Sequence, residues 1–245
     1  PWPVWKAEAV LMRRPVRQFL LALLAVPVLA LAGCSGEETP GGEDATPEEV
    51  MALAKKTLDE TSGVRLDLRT DEVPAGVTGV SAATGVGTHA PAFDGTLTVL
   101  LGGQAFDVPV IGVDDTVYAQ IPLTPGWSDV DPAEYGAPDP LRLMSTDAGF
   151  SSLLTDTTGL EKGESVRGGE DNAEVLTEYT GMLPASVVSN VIPSASGDFD
   201  ATYTISAEGE LRTVELTGVF YPETDPITYT IKFDDYGIEP DITAP

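Results

Sequence analysis

Cys34, the only cysteine of the chain, has surroundings that indicate a chemical modification. It closes the tetrapeptide Leu31-Ala32-Gly33-Cys34, which resembles the lipobox of bacterial lipoproteins. Small residues before the cysteine admit a signal peptidase, and the thiol accepts a diacylglycerol group. The alternative is an ordinary signal peptide with a cysteine at this place by chance. Four matching positions favour the lipobox, so we predict cleavage before Cys34 and lipidation of its thiol.

The residues before Cys34 have the pattern of an export signal. Met12 is followed by Arg13, Arg14 and Arg17, and an apolar run then covers residues 19–32. A basic region followed by a short apolar region is typical of a secretory signal peptide. The run is shorter than the about 20 residues that a transmembrane helix needs.

We therefore expect residues 1–33 to be a signal peptide, with Met12 as the initiator and residues 1–11 as the product of a misplaced gene start. Residues 34–45 then form a lipidated, flexible tether, because the sequence SGEETPGGEDA has no large apolar side chain that could pack. A single folded domain is predicted over residues 46–245. Its acyl anchor would hold the exported protein at the outer face of the cytoplasmic membrane.

The charge of the chain excludes several classes of partner. It holds 13 Lys and Arg against 39 Asp and Glu, a net charge of −26 at pH 7. Phosphate backbones repel such a chain, so nucleic-acid binding is not expected. Anionic lipid headgroups repel it too, and charge cannot be what holds it at a membrane. One cysteine allows no intramolecular disulfide, and the lone His89 cannot belong to a multi-histidine metal site.

The motifs of common enzymes do not occur in the sequence. His89 lies in a Gly-, Ala- and Thr-rich stretch without a nucleophile motif, whereas Ser–His–Asp sites need a His oriented by an acid. Gly85-Val86-Gly87 lacks the acidic partner of a dinucleotide site. The Asp-rich pieces 129–131 and 234–235 lack the spacing of a calcium loop. We therefore expect no enzyme, no cofactor and no metal, although any two of the many carboxylates could form a glycosidase pair.

The folded part begins with a helix. Thr46 suits the N-cap, Pro47 the first helical position, and Glu49 completes a capping box. Gly63 is predicted to end the helix. The apolar residues that follow at helical spacing are Val50, Leu53, Ala54 and Leu58.

Most of the remaining chain predicts antiparallel strands. Residues 96–101 and 104–111 form a hairpin around Gly102-Gly103, and a turn at Asp114-Asp115 leads to a strand over 117–121. Further alternating stretches are residues 64–69, 160–166, 173–180, 201–205, 211–220 and 227–233. Short helices are predicted at 140–144, 150–154 and 184–192, and a loop with one weak strand at 73–91. The predicted fold class is α+β: one strongly curved antiparallel β-sheet with a few helices packed on one face.

Several motifs occur in the order and spacing of the LppX/LprAFG lipoproteins of actinobacterial cell envelopes, which the chain resembles over roughly residues 46–245. Beside the lipobox and the helix at Thr46, they are GTLTVLLGG at 95–103, DTVYA at 115–119, GWSD at 126–129, Asp139-Pro140, Gly149-Phe150 and FDDYG at 233–237.

The resemblance implies a half-barrel-like sheet whose helices enclose a large apolar cavity. It also implies that the protein binds lipids or acylated glycolipids and carries them across the envelope, in some members beside a membrane efflux transporter. We expect the protein to be a monomer. The residues expected to line the cavity are Val64, Leu66, Leu68, Leu97, Val99, Leu101, Val187 and Val191.

Alternation of apolar residues is equally typical of a filled core, so a second function stays open. It is an envelope scaffold or interaction lipoprotein whose sheet holds no ligand, and an envelope hydrolase is a third possibility. Lipid that copurifies with the protein would distinguish the carrier from the scaffold.

Overall fold

The first helix begins where its capping residues require. In the computed structural model, which describes residues 45–71, 73–135, 137–169 and 172–245, helix α1 is Pro47–Glu60. The Glu49 backbone N–H donates to Thr46 Oγ1 at 3.3 Å, and the Thr46 N–H donates to the Glu49 carboxylate at 2.8 Å, which confirms the capping box. The predicted signal peptide, Cys34 and the tether up to residue 44 lie outside the described residues.

Gly63 does not end α1 as predicted, because the helix is capped at Thr61 and Gly63 already begins the first strand. A Cβ atom at Gly63 would lie 2.6 Å from the Ile238 carbonyl oxygen. The glycine is therefore required by the close approach of the C-terminal segment and not by helix termination.

The described strands form one antiparallel sheet of eleven, in the order β6-β5-β4-β3-β2-β1-β11-β10-β9-β8-β7. Neighbours along the chain pair as hairpins in two meanders, β1 to β6 and β7 to β11, and the pairing of β1 with β11 joins them. The sheet is open, with β6 and β7 at its edges. The strands are β1 Gly63–Arg69, β2 Gly79–Thr88, β3 Ala92–Leu101, β4 Gln104–Val113, β5 Thr116–Ala119, β6 Ser128–Asp129, β7 Thr158–Gly168, β8 Glu174–Leu183, β9 Ser196–Ser206, β10 Leu211–Val219 and β11 Ile227–Asp234.

Two further helices, α2 Phe150–Asp156 and α3 Ala185–Val191, share one hydrophobic core with α1 and the inner face of the sheet. Short 3₁₀ helices cover Pro132–Tyr135 and Pro140–Arg142. The helices therefore pack on one face, as the sequence predicts. In the described part of the chain, no helix is long and apolar enough to cross a lipid bilayer. All the described residues belong to one compact unit.

The stretch 73–91 differs from its prediction, because it holds the full ten-residue strand β2 between β1 and β3. Its Gly and Ala residues have low strand propensity, and packing explains the presence of the glycines. A Cβ atom would lie 2.5 Å from Phe93 Cζ at Gly85 and 2.6 Å from the same atom at Gly95. The Phe93 ring thus lies over both glycines, and larger residues would displace it.

Candidate functional site

The inner face of the sheet borders an apolar cleft of about 340 Å³. Strand pairing places Ile231, Leu68, Ala83, Leu97 and Val108 side by side on five neighbouring strands, β11, β1, β2, β3 and β4, and all five line the cleft. In a flat sheet, β11 and β5 would lie roughly 24 Å apart. Both contribute to this one cleft, so the sheet is strongly curved.

One end of the cleft is closed by the segment that contains the second 3₁₀ helix. Asp139 caps that helix, its Oδ1 accepting from the Leu141 N–H at 3.0 Å. A Cβ atom at Gly112 would lie 2.9 Å from Leu141 Cδ2, and one at Gly87 would lie 2.9 Å from Met144 Cγ. These two glycines therefore allow the segment to lie against the sheet as a floor.

Exposure increases from this floor toward the other end of the strands. On β1, Val64 and Leu66 are buried and Leu68 is half-buried. On β3, Phe93 is buried, Leu97 is half-buried and Leu101 is exposed. The mouth of the cleft therefore lies at the β3–β4 hairpin.

Among the described residues that line the cleft, none has a charged side chain, although 21% of the chain is charged. Its polar side chains are those of Thr78, Thr84, Ser194, Tyr135, Tyr221 and Tyr229. A wall of this composition can bind hydrocarbon but offers no ion pair to a charged headgroup.

Two of the tyrosines already satisfy their hydroxyl groups. The Tyr229 hydroxyl donates to the Val80 carbonyl oxygen, so the Tyr221 hydroxyl must be the donor in its 2.7 Å hydrogen bond to Tyr229. Burial, and then the contact with Tyr221, raises the pKa of Tyr229 above its ordinary value of 10.0. Tyr229 is therefore neutral at physiological pH and adds no charge to the cleft.

A curved antiparallel sheet with an uncharged cleft on its concave face agrees with the expected half-barrel, and a family comparison decides the relationship. The model of the LppX_LprAFG lipoproteins matches residues 46–239. The chain belongs to the LppX_LprAFG lipoprotein family. None of the curated proteins compared with it is a significant match.

Two solved structures of mycobacterial lipoproteins share this family fold. LprF from Mycobacterium bovis aligns with a TM-score of 0.65 and 12% sequence identity, over 81% of this chain and 96% of that one. The lipoprotein LppX from Mycobacterium tuberculosis aligns with a TM-score of 0.59 and 18% identity, over 80% of this chain and 98% of that one. At these identities the likeness shows the fold.

Most of the candidate residues lie together in the family's half-barrel. Those that line the cleft are Leu66, Leu68, Leu97, Val99, Leu101 and Val191. Val64 lies instead in the packed core beside Gly87, whose inner side is covered by Met144. Val187 packs against the core from α3 without lining the cleft.

Several lining residues escape the sequence analysis. Phe106, Val108 and Val110 could have been found, because a two-residue turn at Gly102-Gly103 pairs Leu101 with Gln104 and therefore Leu97 with Val108. Tyr229 and Ile231 could not, because no local signal shows that β11 pairs with β1.

His89 has a structural contact in this member of the family. It lies half-buried in the turn between β2 and β3, with Nε2 2.8 Å from the Leu58 carbonyl oxygen near the end of α1. Among the described residues, no group of three or more His, Cys, Asp or Glu side chains could hold a metal ion.

Proposed function

We propose that this lipoprotein binds the acyl chains of a lipid or acylated glycolipid in the cleft and carries the molecule across the cell envelope. The observation that supports this is the state of the inner face. Ala83, Leu97 and Val99 are only half-buried, although a filled core would bury them fully. Unfilled apolar surface of this kind is a site for another apolar molecule.

The energetics of lipid transfer require such a surface. Removing one ~16-carbon acyl chain from a bilayer costs about 12 kcal/mol, at about 0.8 kcal/mol per CH₂. A carrier must therefore offer an apolar wall that replaces the bilayer. The row from Ile231 to Val108 supplies that wall, and it carries no charge that would have to be desolvated.

The proposal includes an anchor and partners beyond the described residues. Acylated Cys34 holds the protein at the outer face of the cytoplasmic membrane, and the tether allows the domain to move near that surface. The protein acts as a monomer, without enzymatic activity, and a membrane efflux transporter is its candidate partner. The alternative, a scaffold with a filled core, is not favoured by the half-buried inner face.

Cys34→Ala tests the anchor. We expect the variant to be released into the medium or left unprocessed, and to lose label after growth with a radioactive fatty acid. Label retained on the variant would show that the anchor lies elsewhere.

Leu97→Trp tests the cleft. The indole would occupy lipid space on the inner face, so we expect little change in the melting temperature of the empty domain and a large loss of bound lipid. Lipid per mole of protein is measured by native mass spectrometry on protein purified from its own host. Thr98→Trp adds the same ring to the opposite face of β3 and should keep its lipid.

Two outcomes would contradict the carrier. One is wild-type protein that copurifies with no lipid and takes up none from detergent micelles. The other is a fall of the melting temperature in Leu97→Trp as large as overpacking of a core produces, about 1–3 kcal/mol in stability, since Leu97 would then be a core residue.

A further inference from the structure

The mouth of the cleft is formed by strand ends that the pairing gathers at one end of the sheet. Arg69 pairs with Ala82, Gly79 with Leu100, and Leu101 with Gln104. Strand β5 runs toward the same end, since Ala119 pairs with Val110. The chain that continues from β5 passes through Pro122, a lining residue, and returns beside the cleft to β6, where Ser128 pairs with Ala119.

Three large apolar side chains that border the cleft are exposed, and we call them the apolar rim: Leu101, Leu123 and Tyr135. Their exposed fractions are 54%, 102% and 59%. Leu101 and Tyr135 line the cleft, and Leu123 directly follows Pro122. The rim is thus continuous with the apolar wall inside.

Leu123 contributes nothing to folding that would explain its presence. Its side chain is fully exposed, and its backbone φ is 68°, in the left-handed region that favours Gly, Asn or Asp. A leucine is unfavourable at this position because its apolar side chain lies in water and because its backbone has a left-handed conformation. Such residues persist at functional sites.

Four segments that border the cleft contain no Asp, Glu, Lys or Arg. These segments are residues 73–88, 95–106, 116–128 and 179–197, whereas Arg69, at the end of β1, is charged and exposed. Leu101 and Leu123 lie within two of them, and Tyr135 follows Glu134. A chain with net charge −26 therefore has long uncharged segments around the cleft.

We propose that the apolar rim docks into the interfacial layer of a lipid bilayer with neutral headgroups, so that acyl chains pass between bilayer and cleft without entering water. This proposal rests on the proposed function. The composition favours a bilayer over a protein partner, since Tyr is enriched at membrane interfaces, whereas Leu is under-represented among protein hot spots and the rim has no Arg. The acidic remainder of the surface makes a neutral membrane the complementary one.

The test uses residues 45–245, which contain all the described strands and helices and no cysteine. Binding to phosphatidylcholine vesicles is measured by flotation, and by the emission of Trp127, the only tryptophan in this part of the chain. The test variant is Leu123→Asn, which removes the apolar side chain and suits the left-handed backbone. The control is Val175→Asn, at a 47% exposed position near the start of β8, away from the mouth.

We expect the wild-type domain to bind these vesicles, and to bind vesicles rich in phosphatidylglycerol more weakly at low salt. Leu123→Asn should weaken binding to phosphatidylcholine by roughly tenfold to a hundredfold, the range for one leucine no longer buried. Val175→Asn should leave binding unchanged. The melting temperature of Leu123→Asn should stay the same or rise, which excludes misfolding as the cause.

Three results would overturn the rim proposal: no vesicle binding by the wild-type domain, equal binding by Leu123→Asn, or an equal loss in Val175→Asn. If the domain docked only to membranes that contain a membrane protein, it would not bind the lipid vesicles. That result would also overturn the rim proposal and would assign the rim to a protein partner. Uptake of lipid from detergent micelles, followed by native mass spectrometry, separates this proposal from the carrier function. Normal uptake without vesicle binding would reject the rim alone, and absent uptake would reject the carrier.

Discussion

The two halves of the sheet have similar alternating sequences but different surroundings. On β9, Phe199, Ala201, Tyr203 and Ile205 are buried and the residues between them are half-buried or exposed. On β3, every residue from 95 to 100 is half-buried. No described residue of β8, β9 or β10 lines the cleft, whereas β1 to β5 border it and β11, at the boundary, contributes Tyr229 and Ile231.

Aromatic packing shows how completely the inner face is filled in the half of the sheet that contains β9 and β10. The Phe150 and Phe233 rings meet edge to face with centroids 5.6 Å apart, and the Phe199 and Phe220 rings do so at 4.9 Å. Rings in this geometry stabilise a core beyond the area that they bury. The comparison shows that alternation fixes which face of a strand is apolar, while a second layer decides whether that face is filled or left to a ligand.

We expect the two halves to differ most in the free energy of unfolding that is lost when a leucine is truncated to alanine. Leu216 on β10 is fully buried, so Leu216→Ala should lower the free energy of unfolding by about 2–5 kcal/mol through lost contacts and a residual cavity. Leu97→Ala on the half-buried wall should cost about 1 kcal/mol. Urea unfolding of lipid-free protein measures both. Equal losses would mean that the two faces are packed alike.

Adding a single hydroxyl group should also change stability by different amounts in the two halves. Ala201→Ser places an unpartnered hydroxyl in the buried part of β9 and should cost about 1–3 kcal/mol. Ala83→Ser places it on the wall of the cleft, where water can reach it, and should change stability by less than about 0.5 kcal/mol. Thermal unfolding compares the two, and a similar loss in Ala83→Ser would show that the cleft excludes water.

Alkaline pH should act on both halves through buried tyrosines. Burial raises the pKa of Tyr203 in the filled half and of Tyr229 at the cleft above the ordinary 10.0. Above about pH 10 the unfolded chain releases these protons while the folded chain keeps them, so stability falls as the pH rises, by up to about 1.4 kcal/mol per pH unit for each tyrosine.

Ultraviolet absorbance of tyrosinate measures this effect. The signal of Tyr203 and Tyr229 should appear together with unfolding, and Tyr229→Phe should reduce the alkaline loss of stability. Ionisation of Tyr229 near pH 10 in folded protein would instead mean that water fills the cleft around it.

Local signals made about half of this architecture predictable. The capping box fixes the start of α1, and Gly102-Gly103 fixes the register of β3 with β4. Those signals also place Leu97, Val99 and Leu101 on one apolar face, and the structure brings all three to the cleft.

The rest depends on contacts between residues far apart in the chain. The composition of β2 alone is typical of a loop. The stretch nevertheless forms a strand, because glycine there leaves room for Phe93. Val64 has the same phase on β1 as Leu66 and Leu68, yet it is covered by a segment some eighty residues further along, whose Met144 lies against Gly87. Alternation cannot show where along a strand the covering layer ends.

The pairing of β1 with β11 also has a consequence for how the chain folds. Each meander can form from neighbouring hairpins, but the seam between them joins Leu66 to Phe233, across nearly the whole folded region. A contact of such long sequence separation carries a large loop-closure entropy and slows folding. Until the last strand is available, β1 has only β2 as a partner, and the inner face of both meanders is exposed. We therefore expect the two meanders to join only after the C-terminal strand has been synthesised.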